Sequence, residues 1–121
     1  HKYLPLRSLV DAGIPIAIGS DATDSSIGAM NPYLNIMFAA IHPARPSEAI
    51  TREQSVEAYT RGSAYAEFAE NEKGTIATGK QADFTVLSQD IFTVPLDELP
   101  KTGSILTIVG GKVVYDAKVM K

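Results

Sequence analysis

The sequence predicts a mixed fold, α/β or α+β, with a helical first part carrying one buried strand and a second part built of β-strands. Three observations carry this expectation. "IPIAI" (14–18) is a continuous apolar run of strand length, the pattern of a strand covered on both faces, as in a parallel sheet between helices. Leu34, Met37, Phe38 and Ile41 fall at i, i+3, i+4 and i+7, a single stripe of an amphipathic helix. "ILTIVGGKVVYD" (105–116) joins two β-rich runs through Gly110-Gly111, and primed hairpin turns need the positive φ that glycine supplies.

Taken in order, "LRSLVDA" (6–12) places Leu6, Leu9 and Val10 at helical spacing, and Gly13 with Pro15 forms a stop signal. The strand 14–18 follows. The polar stretch "SDATDSSIGAMNP" (20–32) reads as a loop that ends with Asn31 as cap and Pro32 at the first helical position. The striped helix then runs to "HPARPSEAI" (42–50), where two prolines prevent continuation. Thr51 and Gln54 form a capping-box pattern opening "TREQSVEAYTRGSAYAEFA" (51–69). Val56, Tyr59, Ser63 and Ala66 lie on one narrow face and Gly62 weakens the middle, which predicts one broken helix or two short ones. After "ENEKG" (70–74) the pattern turns to strands, with a Gly79-Lys80 turn before a strand over 84–87. A boundary near residue 72 divides the chain into 1–72 and 73–121.

The 121 residues, 45% apolar and 21% charged, suit one folded domain of ordinary size. The formal charge of −3 is spread without a run of like charge, so neither a nucleic-acid surface nor a polybasic membrane patch is expected. Absence of cysteine excludes disulfides, thiolate metal sites and cysteine nucleophiles. No apolar stretch approaches the roughly 20 residues of a membrane span, and the start "HKYLPLRSL" has no signal-type apolar core. Cytoplasm is the default location. A first residue other than methionine hints at trimming, processing or excision from a longer product.

Asp21 is the leading single candidate for chemistry. It is the first ionisable side chain after the strand 14–18, and the C-terminal ends of parallel strands are where such folds place ligands. The plainer reading has Ser20 and Asp21 capping local backbone donors. "GTIATGK" (74–80) has the spacing of a phosphate loop, but Gln81 stands where serine or threonine would hold magnesium and a strand follows instead of a helix. Its glycines read as turn residues. His1 and His42 are the only histidines, too few for a hydrolytic zinc site, which takes three protein ligands. Ser20, Ser25 and Ser26 lie near Asp24 without a nucleophile elbow. Asp83 reads as a turn residue bonding backbone. Tyr33, Phe38, Tyr59, Tyr65 and Phe68 read as packing positions.

Five pieces in order, "PLRSLVDAGIPIAIGSDA", "NPYLNIMFAAI", "AYTRGSAYA", "EKGTIATGKQADFTVLSQDIF" and "LTIVGGKVVYD", resemble the C-terminal end of metal-dependent amidohydrolases of the YtcJ-like branch. The resemblance covers nearly the whole chain. It implies that residues 1–72 are the last strand and helices of a (β/α)8 barrel and that 73–121 are the C-terminal strands of a small β-sandwich domain built from both chain ends. It implies that Asp21 follows the eighth barrel strand as a metal-site residue that also accepts a proton from the attacking water. The implied cofactor is a divalent metal such as zinc, and the implied substrate a small molecule with a non-peptide C–N bond.

This sequence departs from the family pattern where the H-x-H pair, the bridging acid and the mid-barrel histidines belong, because none of those positions exists in the chain. A complete barrel takes about 250 residues, so the barrel is incomplete here. Asp21 alone is expected to bind no metal and to be inert, since the reaction depends on a metal-activated water. Thr23, Asp24 and "SSIGAM" also differ from the loop usual after "GSDA". The alternative is a free-standing α+β binding or assembly domain derived from such an enzyme. On either reading an uncovered strand and apolar stripe predict self-association.

Overall fold

The computed structural model describes residues 4–21 and 30–120. Its elements are α1 (Leu6–Asp11), α2 (Pro32–Ile41), a 3₁₀ turn (Pro46–Glu48), α3 (Arg52–Glu57), a π-helical turn (Ala58–Gly62), α4 (Ser63–Ala66), β1 (Phe84–Leu87), a 3₁₀ helix (Leu96–Lys101), β2 (Ser104–Val109) and β3 (Lys112–Asp116). The predicted mixture of helices first and strands second is what forms.

Local chemistry explains most boundaries. Asn31 caps α2, its Oδ1 accepting from the Tyr33 and Leu34 amides at 2.9 and 3.2 Å, and Pro32 follows at the first position, where its missing N–H costs nothing. The capping box of α3 is complete. Thr51 Oγ1 accepts from the Gln54 amide at 3.1 Å and Gln54 Oε1 accepts from the Thr51 amide at 2.9 Å.

The strands form one antiparallel sheet in the order β1-β2-β3. Phe84 faces Ile108 and Leu106 faces Asp116, with register shifts at Val86/Leu87 and Thr107/Ile108. Gly110 and Gly111 close the β2–β3 hairpin with φ of +57° and +77°, the signature of a type I′ turn. Asp83 supports that turn as expected, its Oδ1 accepting from the Gly110 amide at 2.7 Å.

The core forms where α2 meets the loops beside the sheet. Ile36, Ile91 and Leu99 are its buried centre, and Tyr33, Met37, Val56, Tyr59 and Leu87 pack around it. Polar ties fix the same junction: Arg52 Nη1 donates to the Ile91 carbonyl at 3.0 Å and also to Val94, and Asn31 Nδ2 donates to the Pro100 carbonyl at 2.9 Å.

Three expectations are corrected. The buried face of α2 centres on Ile36 and Ala39, whereas Phe38 and Ile41 of the predicted stripe are exposed. The reason is that "PYLNIMFAAI" is apolar almost all round, so the pattern alone does not select a face. Second, Ile14–Ile18 is not a buried strand: it belongs to no ladder among the described residues and Ile14 is 49% exposed, because no strand of the described sheet lies beside it to share hydrogen bonds. Third, the helical run 52–66 buries Ser55, Ala58 and Ala64, not the predicted Ala66, because the π-helical turn shifts the phase of everything after it. Of the aromatic packing positions, Tyr33 and Tyr59 reach the core, while Phe38, Tyr65 and Phe68 are exposed, Phe68 at 93%.

Candidate functional site

The segment leading to Asp21 begins where α1 stops. Gly13 takes φ of +71°, and the Ile14 amide returns to the Leu9 carbonyl at 3.0 Å. α1 itself lacks a side-chain cap of its own at Pro5. A distant carboxylate serves instead: Glu48 accepts from the Ser8 amide at 2.9 Å and from the Ser8 hydroxyl at 2.7 Å. These bonds, backbone first, hold the Glu48 carboxyl below its ordinary pKa, with Arg45 and His42 adding attraction against the cost of burial. Arg7 Nε donates to the Ala49 carbonyl at 3.1 Å, completing the clasp.

Beyond Gly13 the chain crosses the π-helical turn. The Ile18 amide donates to the Ala58 carbonyl at 3.2 Å. Ser63 Oγ lies 2.9 Å from that same carbonyl and 3.4 Å from the Ile18 carbonyl. Two grooves flank the segment. One, of about 620 Å³, runs between Ile14 and Ile16 on one side and Ala58, Arg61 and Tyr65 on the other. The second, of about 400 Å³, is lined by Ala17, Ile18, Phe38 and His42.

Asp21 stands exposed past these anchors with φ of +46°, a left-handed conformation that aspartate tolerates better than most residues. It lines neither groove. Thr23, Asp24, Ser25 and Ser26 lie outside the described residues. His42 is committed elsewhere: Nδ1 accepts from the Arg45 amide at 3.1 Å, so Nε2 carries the proton and donates to the Leu4 carbonyl at 2.8 Å. In the "GTIATGK" stretch, Gly79 has φ of +88° and Lys80 Nζ donates to the Glu70 carbonyl, a turn and not a phosphate cradle. Asp83 is on the hairpin and is not brought to Asp21.

Among the described residues no three His, Cys, Asp or Glu side chains gather to hold a metal ion. As donor chemistry, Asp21 fits one oxygen ligand of a zinc-type site and no more. Among the described residues no helix is long and apolar enough to cross a membrane. Sequence reasoning missed Glu48, which no local pattern ties to Ser8 forty residues away. It marked Gly62 only as a helix weakness, although glycine within a helical run is also a signal of close approach.

Residues 1–115 match the sequence model of the amidohydrolase family. The chain belongs to that family. It is 31% identical over 122 residues to the N-substituted formamide deformylase of Arthrobacter pascens, covering 95% of this chain and 22% of that protein. It is 33% identical over 119 residues to the putative amidohydrolase YtcJ of Bacillus subtilis, covering 91% and 22%, and 35% identical over 89 residues to the imidazolonepropionase of Bdellovibrio bacteriovorus, covering 74% and 20%. The chain thus spans about a fifth of the length of the curated relatives it matches.

Proposed function

We propose that this chain is the C-terminal part of a metal-dependent amidohydrolase that hydrolyses a non-peptide C–N bond of a small molecule, with Asp21 as its catalytic contribution. The observation that carries this reading is family membership over residues 1–115, combined with an exposed aspartate directly past an anchored apolar segment. On this reading residues 1–72 end a (β/α)8 barrel and 73–121 complete a composite β-sandwich. Bare faces support that assignment: Val113 and Val114, neighbours on opposite sides of β3, are 58% and 61% exposed. A second copy is the other cover we propose for these apolar surfaces, giving a self-associating protein.

A divalent metal, when bound, lowers the pKa of water toward neutrality. Asp21 supplies one carboxylate oxygen to that site, and the other ligands come from outside this chain. As water oxygen bonds to the substrate carbonyl carbon, the Asp21 carboxylate takes up the released proton. It returns the proton to the leaving nitrogen as the C–N bond breaks. The segment 14–18 keeps the carboxylate in place.

The printed name of the Arthrobacter relative suggests an N-substituted formamide as first substrate to try. In the intact protein, Asp21→Asn should lower kcat/KM for a simple N-substituted formamide by about 100- to 10,000-fold, with reduced metal content by elemental analysis. A wild-type protein that hydrolyses no formamide or related amide, has an intact mass near 12.9 kDa and holds no stoichiometric metal would favour the binding or assembly domain instead.

A further inference from the structure

We infer that the π-helical turn Ala58–Gly62 together with Ser63 is the positioning device for Asp21, with Gly62 and Ser63 as positioning residues; this rests on the proposed role of Asp21. The segment 14–18 has no ladder partner among the described residues, so something other than a sheet must fix the path to Asp21. Its contacts converge on one turn. The Ile18 amide, three residues before Asp21, donates to the Ala58 carbonyl at 3.2 Å. Ser63 Oγ is within hydrogen-bond reach of the carbonyls of Ala58 and Ile18. A Cβ placed on Gly62 would sit 2.1 Å from the Ile16 carbonyl oxygen and 3.2 Å from its carbon.

Gly62 is helical, with φ of −64° and ψ of −41°, so its backbone conformation does not require glycine. Space does. From the other side Gly74, with φ of +91°, fits against Ala64 and Arg61 so closely that a Cβ there would lie 2.7 Å from the Ala64 methyl. The turn is wedged between the segment 14–18 and Gly74, and neither side has room to give.

The π geometry has a use in this arrangement. Tyr59 and Ser63, four apart, would share one face of an ordinary α-helix. Here Tyr59 packs onto the core while the Ser63 hydroxyl goes to Ala58 and Ile18. One extra residue in the turn separates the two duties, and π turns recur at functional sites. The core thereby fixes the turn, and the turn fixes the segment that carries Asp21.

The test uses the intact protein and four variants: Gly62→Ala, Ser63→Ala, Ser63→Thr and, as a core control, Ile91→Val. Gly62→Ala should displace the Ile16 carbonyl and lower kcat for the N-substituted formamide by about 100-fold with KM little changed, as misplacement of a catalytic group does. Amide exchange at Ile18 should quicken by about tenfold as its hydrogen bond weakens. Ser63→Ala should give a smaller change of the same kind, and Ser63→Thr, which keeps the hydroxyl, should restore kcat. Ile91→Val lowers the melting temperature and should leave kcat and Ile18 exchange unmoved. If Gly62→Ala and Ser63→Ala both retain wild-type kcat and Ile18 protection while Asp21→Asn is inactive, this inference fails alone. If Asp21→Asn keeps its activity, the role of Asp21 fails and takes this inference with it.

Discussion

Two regions of this molecule hold themselves together by different means. The sheet 84–116 and the loops beneath it use ladder hydrogen bonds and a dry contact, with Leu99 completely buried between Ile36 and Ile91. The stretch 4–21 has no ladder. It is fastened by side chains at discrete points, through Glu48 to Ser8, Arg7 to Ala49, His42 to Leu4 and the π-helical turn to Ile18. The difference teaches that an apolar run of strand composition does not become a strand without neighbours. What remains is a polar clasp that keeps the run in place while leaving both of its sides accessible.

The largest effect should come from the dry side of this contrast. Leu99→Ala should cost about 2–5 kcal/mol, the range for emptying a packed core position, read as a shift in the urea midpoint by circular dichroism. Ile14→Ala, at a half-exposed site, should cost less than about 1 kcal/mol in the same assay. Equal losses would break the comparison. Gly111→Ala forces an L side chain to a φ of +77° and should cost about 1–2 kcal/mol. The loss of amide protection should centre on β2 and β3, and a change that spreads to Ser8 and Ile18 would mean the two regions unfold as one.

The smallest effect sharpens the clasp itself. The ionised Glu48 carboxylate is favoured by folding, since the Ser8 bonds hold its pKa below the ordinary 4.5. Its contribution is therefore full above that value and is lost as pH falls through the lower, folded-state value. Melting temperatures of the wild type and Glu48→Gln should differ at pH 6 and converge in that acid window. A difference that persists at pH 3 would locate the effect in packing and not in charge.

Much of this was legible beforehand where one turn of chain carries its own instructions. Asn31-Pro32, Thr51 with Gln54, and Gly110-Gly111 each satisfy or permit a backbone geometry within four residues, and each forms as read. The face of α2 was not legible, because Leu34, Ile36, Met37, Phe38 and Ile41 offer apolar atoms in several directions. For the candidate site, the position of Asp21 after an apolar run was readable, but its anchors were not: Ser63 and Ile18 are 45 residues apart.

The sequence by itself determined where helices begin, where the hairpin turns and that the chain belongs among amidohydrolases, since caps, turn glycines and ordered motifs are local or linear information. Only the tertiary structure decided that Ile36 faces the core, that Glu48 caps α1 and that Gly62 lies against Ile16. Those outcomes depend on which surfaces meet across long separations, where a buried polar group must find a partner and two backbones can touch only if no Cβ stands between them.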